Sequence, residues 1–150
     1  MTDFPRKWRW APIDKALNYV ALAHKGRLIE LGEEPVGAIT RTGKGYLVVV
    51  AGDASDHTWR RAKSFVAGTA QQCIRLGCTK EQLGFVVGRT SLAIAAFTDA
   101  ALALAFVKAL PEAEKHKAVI EVLEEKNKKL RQRKSEAKAH QRNVRTGKKK

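Results

Sequence analysis

GKGYLVVVAGDASDHTWRRAK, residues 43–63, is the stretch on which the fold turns. Tyr46 to Ala51 is apolar, rich in valine and without alternation. Such a run reads as a strand buried on both faces, with helices covering both sides of its sheet. It stops at Gly52. The acidic turn Asp53-Ala54-Ser55-Asp56 follows, with Ser55 placed to cap a helix running to about Ala67. Arg60, Arg61 and Lys63 make the surface of that helix positive. The turn also sets Ser55 and His57 close to Asp53 and Asp56, which on paper is a nucleophile beside a base. Capping accounts for Ser55 and the strand–helix turn for Asp53, so no catalytic role is assigned.

Outward from this centre, strands and helices alternate. Ile13, Leu17, Val20 and Ala21 fall on one face of a first helix that Asp14 can cap and Gly26 stops. Arg27 to Glu30 suits a short strand. Gly32-Glu33-Glu34-Pro35 opens a second helix, with acids and proline in the first turn where they are favoured. Gln71 to Leu76 reads as a short strand. Thr79 and Gln82 form a capping box for a fourth helix ending near Val87-Gly88. Ser91 to Phe97 is another apolar strand, and Thr98 or Asp99 caps a fifth helix to Leu110, closed by Pro111. The pattern predicts an α/β fold, a three-layer α-β-α sandwich around a small mixed sheet of about four strands. Residues 1–11 form a basic-aromatic arm, 12–111 the domain, and 112–150 a basic tail, helical to about residue 130 and disordered beyond.

The chain has 150 residues and a formal net charge of +14, of which 126–150 supply 12 Lys or Arg against Glu136 alone. Such a chain calls for a polyanionic partner, nucleic acid first. Cys73 is placed in a buried strand and Cys78 in a loop, two free thiols suited to a reducing cytoplasm. The cysteines and four scattered histidines give no metal site, and His24 reads as a polar helix-end residue. The N-terminus lacks a secretory pattern, and Arg89, Asp99 and Lys108 break up the most apolar region, so no membrane span is expected. Gly43-Lys44-Gly45 precedes a strand rather than following one, and Gly52-Asp53 lacks the Lys-Ser/Thr pair; no nucleotide or other cofactor is implied. Lys25, Arg27 and Arg89 are placed at helix–strand junctions, where they and the free N–H groups of the second helix can hold phosphates. Trp8, Trp10 and Trp59 can stack on bases or cover the edge of the core.

HKGRLIELGEE (24–34), RTGK (41–44), LVVVAGDASDHT (47–58), TKEQLG (79–84) and AIAAFTD (93–99) carry a resemblance. The series resembles the bacterial YlxQ-type proteins, L-seven-Ae-like ribosomal proteins of the superfamily that includes the archaeal and eukaryotic L-seven-Ae and L-thirty-e proteins. It covers nearly all of residues 13–110. It implies an α-β-α sandwich that binds RNA, typically kink-turns, through the start of the second helix and the loop before the last strand. Gly32 matches the glycine of the helix pattern Gly-x-Asn-Glu-x-x-Lys. Glu34 stands at the Asn position, Pro35 at the Glu position and Ala38 at the Lys position. An ionised Glu34 only accepts hydrogen bonds, and Ala38 offers no charge to a phosphate. In the loop, Gly88, Arg89, Thr90, Ser91 and Leu92 fit, with Arg89 a phosphate contact and Leu92 an apolar one.

The expected site is therefore Lys25, Arg27, Gly32, Glu33 and Glu34 with Gly88, Arg89, Thr90, Ser91 and Leu92. The expected function is that of a non-enzymatic cytoplasmic protein, monomeric, that binds rRNA or another structured RNA, on the ribosome, with the tail adding sequence-independent affinity. The alternative is a protein-interaction module on the same fold.

Overall fold

The computed structural model describes residues 14–145, and among these the side chains of 15–141. The arm with Trp8 and Trp10, Ile13 on the first helix and the cap expected from the Asp14 side chain lie outside what is described. The element order is α1 (Asp14–Lys25), β1 (Ile29–Leu31), α2 (Glu33–Arg41), β2 (Leu47–Val50), α3 (Asp56–Val66) and β3 (Gln72–Arg75). It continues with α4 (Lys80–Phe85), β4 (Ile94–Phe97), α5 (Ala100–Lys108), a 3-10 turn (Ala113–His116) and α6 (Lys117–Arg145). The four strands form one mixed sheet in the order β1-β4-β2-β3. β4 runs antiparallel to both neighbours, and β2 is parallel to β3.

All four residues of β2 are fully buried, as the valine run predicts. α2 and α3 pack together over one face of the sheet; α1, α5 and α6 pack over the other. Phe97 of β4 meets Phe106 of α5 with ring centroids 5.0 Å apart. Three of the expected caps are present. Ser55 Oγ accepts from Thr58 N, Asp99 Oδ2 from Leu102 N, and Thr79 with Gln82 forms the reciprocal capping box.

The turn after β2 is fixed by backbone crowding. Gly52 N donates to Cys78 O at 2.7 Å, and a Cβ on Gly52 would stand 2.5 Å from Leu76 O, so only glycine fits. That crossing buries Cys78, the expected loop thiol, at 1 % exposure, while Cys73 on the open edge strand β3 is half-buried. Burial pushes both thiols up to about 12.

Several boundaries differ from the sequence expectation. β1 runs Ile29–Leu31 rather than Arg27–Glu30, because the N–H groups of Arg27 and Leu28 close the end of α1. β4 begins at Ile94 rather than Ser91, because Leu92 N is drawn to Lys80 O instead of to a neighbouring strand. α4 ends at Phe85, before the expected Val87-Gly88. α6 is the largest difference: it continues to Arg145 instead of fraying near residue 130. Its first turns dock on the body, with Leu123 1 % exposed in the main core and Val119 and Ile120 packed against it. Lys108 Nζ and Glu124 Oε2, 3.2 Å apart, tie it to α5.

Candidate nucleic-acid interface

The register places the connectors at two ends of the sheet. Leu31 pairs with Ala95 and Val50 with Ile94, so the start of α2, the turn after β2 and the 86–93 loop share one end. Ile29 and Leu47 both pair with Phe97, so the α1–β1 turn and the α2–β2 turn share the other.

At the first end, Gly32 is the N-cap of α2 with φ +97°, a backbone that L side chains rarely adopt. Its own N–H donates to Ile94 O at 3.0 Å, fixing the start of α2 against β4. No side chain caps this helix, and Pro35 has no N–H, so the N–H groups of Glu33 and Glu34 are the ones left without a partner among the described residues. Glu33 and Glu34 occupy the first turn, and Glu33 Oε1 pairs with Arg61 Nε of α3 at 3.3 Å. Both partners are well exposed, which limits the pair to below about 1 kcal/mol.

The 88–92 loop is shaped by the end of α4. Arg89 N reaches back to Gly84 O at 2.9 Å and Gly88 N to Phe85 O at 3.2 Å, with Gly88 at φ +77°. This is a Schellman motif with glycine in the left-handed position. Gly84 lets the loop fold against the helix: a Cβ there would lie 2.8 Å from Ser91 Cα and 2.9 Å from Arg89 O. The result holds the Arg89 guanidinium over Gly32, its Nη1 4.0 Å from where a Gly32 Cβ would stand. Arg89, Thr90 and Ser91 are exposed, whereas Leu92 is 3 % exposed and directs its side chain into the core.

Gly32, Glu33, Glu34, Gly88, Arg89, Thr90 and Ser91 are thus neighbours. Lys25 and Arg27 are not with them. They sit at the far end of β1, where Leu28 O accepts from Thr98 N at 2.8 Å. The helix before them ends in a second Schellman motif, Leu28 N to Ala23 O at 2.8 Å and Arg27 N to His24 O at 3.2 Å. The left-handed residue is Arg27, φ +59°, and not the adjacent Gly26. Arg61 is a neighbour of this site that the sequence does not announce; with Glu33 and Arg61 on different helices, no local spacing links them.

The Ser-His-Asp reading dissolves in the geometry. Asp53 Oδ1 accepts from Lys80 N at 2.8 Å and so serves the start of α4. Ser55 Oγ is engaged with Thr58, and the exposed His57 makes no hydrogen bond with a described residue. Trp59 is half-buried against the core, with Lys63 Nζ 5.4 Å and Arg75 Cζ 5.6 Å from its ring. Among the described residues no three of His, Cys, Asp and Glu stand close enough to hold a metal ion. No helix among them is long and apolar enough to cross a membrane.

No family model matches the sequence, and no curated protein does. Solved structures do match the fold. One is a protein of unknown function from Bacillus halodurans, 23 % identical, covering 63 % of this chain and 95 % of its own, with a TM-score of 0.59. Another is the Giardia lamblia 15.5kD RNA binding protein, 19 % identical, covering 77 % of this chain and 98 % of its own, with a TM-score of 0.58. The chain therefore shares the fold of an RNA-binding protein.

Proposed function

We propose that this chain is a non-enzymatic RNA-binding protein that docks a sharply bent, kink-turn-like RNA, on the ribosome or another ribonucleoprotein. The observation that carries the reading is the junction of Gly32 and Arg89. An uncapped helix start and an exposed guanidinium, far apart in sequence, are held side by side by Gly84 and by the bond from Gly32 to Ile94. Free N–H groups at a helix start and an arginine beside them are the donors that a phosphate takes. The likeness to the Giardia RNA-binding protein supports the same reading through the fold.

A gel shift with a kink-turn RNA and a straight duplex, using the wild type and Arg89→Ala, tests it. The expected result is preference for the kink-turn, with about a tenfold or greater loss on that RNA alone in the variant, as for removal of a charge-assisted hydrogen bond. Equal binding of both RNAs, unchanged by the substitution, contradicts it.

A second reading is favoured by the charge around the junction. The connectors at this end carry Glu33, Glu34, Asp53, Asp56 and Glu81 against Lys80 and Arg89. An acidic end is a poor electrostatic trap for RNA and suits a basic protein partner. In that case Arg89→Ala leaves RNA binding untouched.

A further inference from the structure

The opposite end of the sheet has the opposite charge. Its connectors carry Lys25 and Arg27 in the α1–β1 turn and Arg41 and Lys44 around the α2–β2 turn. The acid in these connectors, Asp99, is committed to the N–H of Leu102. All four bases are exposed, and none forms an ion pair with a described residue. β1 and β2 both flank β4, so the two basic turns stand about 10 Å apart, two strand spacings.

This end is also where the basic helix leaves the body. Leu123 and Lys126 line a small cavity with Gly43, Tyr46, Thr69 and Gln71, at the N-terminal ends of β2 and β3. Beyond Lys126 the helix is exposed from Arg131 to Gln141. Arg131, Lys134 and Lys138 follow helical spacing along one face, and the sequence keeps basic residues at that spacing at 142 and 145. From Lys126 to Arg145 the helix spans roughly 30 Å.

Arg27 adds an independent sign. It is the described non-glycine residue at positive φ, in a position that α4 fills with Gly88 and that costs an L residue stability. A charged side chain held there at a cost is a mark of use.

We infer that the Lys25–Arg27 and Arg41–Lys44 turns, continuous with the basic face of α6, form a second RNA-binding surface that grips the phosphate backbone without reading sequence. Unpaired basic side chains in turns about 10 Å apart, extended by a long basic helix, match a long regular polyanion rather than a single anionic group. An anionic lipid surface fits less well, because beyond Leu130 the helix has no apolar stripe to bury. This surface goes beyond the kink-turn reading, lies at the other end of the sheet, and holds whether or not Arg89 recognises a bend.

The experiment uses the full chain with Lys25→Gln, Arg27→Gly, Arg41→Gln and Lys44→Gln combined, and Arg27→Gly alone as a variant chosen not to harm folding. Binding to a straight RNA duplex is measured from about 50 to 200 mM salt, beside Arg89→Ala and vesicles rich in phosphatidylserine. The combined variant is expected to bind the duplex at least about tenfold more weakly. Its log–log salt slope should be shallower by about 3.6 if each of the four bases neutralises one phosphate, near 0.9 for each. Arg89→Ala is expected to leave duplex binding unchanged. Duplex affinity and slope unaltered in the combined variant overturn the inference, as does a loss confined to the vesicles. Failure of Arg89→Ala to affect kink-turn binding strikes the first site and leaves this one standing.

Discussion

Arg27 and Gly88 occupy the same position in the same backbone motif, at the ends of α1 and α4. The pair isolates what the arginine costs. Arg27→Gly is expected to raise stability by about 1 kcal/mol, less than the full left-handed penalty because glycine also loses more entropy on folding. Thermal unfolding checks it; a lower Tm shows that the Arg27 side chain stabilises the turn. The thiols give a second prediction at this scale. Cys73 and Cys78 have their pKa raised from 9.0 to about 12, burial being the main cause. In the folded chain they hold protons that the unfolded chain releases above pH 9. Their contribution is therefore intact below pH 9 and lost as pH rises toward 12. Unfolding at pH 8 and pH 10.5 should show lower stability at the higher pH, and Cys73→Ser with Cys78→Ala should reduce that difference. Ser55 and Thr79 are legible in sequence as caps, and Asp99 as one of two candidates with Thr98, since a cap acts over three residues. Arg27 is not legible, because Gly26 beside it is the commoner left-handed residue and the choice between them is made by how Leu28 enters β1.

At the level of elements, α6 departs most from its sequence pattern. Val119, Ile120 and Leu123 have helical spacing, but they stand among charges, and nothing local says what they face. The body supplies the answer: the groove beside α5 buries Leu123 completely. Leu123→Ala should cost about 3 kcal/mol, as is usual on deleting a buried leucine, and lower Tm accordingly. A cost under about 0.5 kcal/mol in chemical unfolding would mean that α6 does not dock. β2 is the contrary case: it lies in the apolar run Tyr46 to Ala51, whose lack of alternation foretells burial on both faces. Gln71, absent from the sequence reading of the site, closes the lower end of this sheet. Its Oε1 accepts from Gly45 N at 2.8 Å and its Nε2 donates to Thr40 O at 3.0 Å. A residue joining segments this distant has no sequence signal, since both partners are backbone groups.

Across the molecule, the connectors at the two ends of the sheet carry opposite charge. One end joins Gly32 to Arg89 amid acids; the other presents four bases and launches a basic helix. β1 itself separates Lys25 and Arg27 from Gly32, since the two bases precede the strand and the glycine follows it. The sequence reading groups them in one site because all sit at helix–strand junctions, although the short strand between them is itself legible. Truncation after Lys126 keeps the Leu123 anchor and removes most of the tail's charge. It should weaken binding to all RNAs alike and flatten the salt dependence, seen in titrations at several ionic strengths. A loss limited to one RNA motif would make the tail a specific reader. The proposed function requires above all that a bent RNA be held where α2 begins. Amide hydrogen exchange of the full chain, with a kink-turn RNA and with a straight duplex, reports on that point residue by residue. Slower exchange at Glu33, Glu34, Thr90 and Ser91 with the kink-turn alone is the predicted result. Identical patterns with both RNAs, confined to residues 25–28, 41–46 and α6, would contradict it.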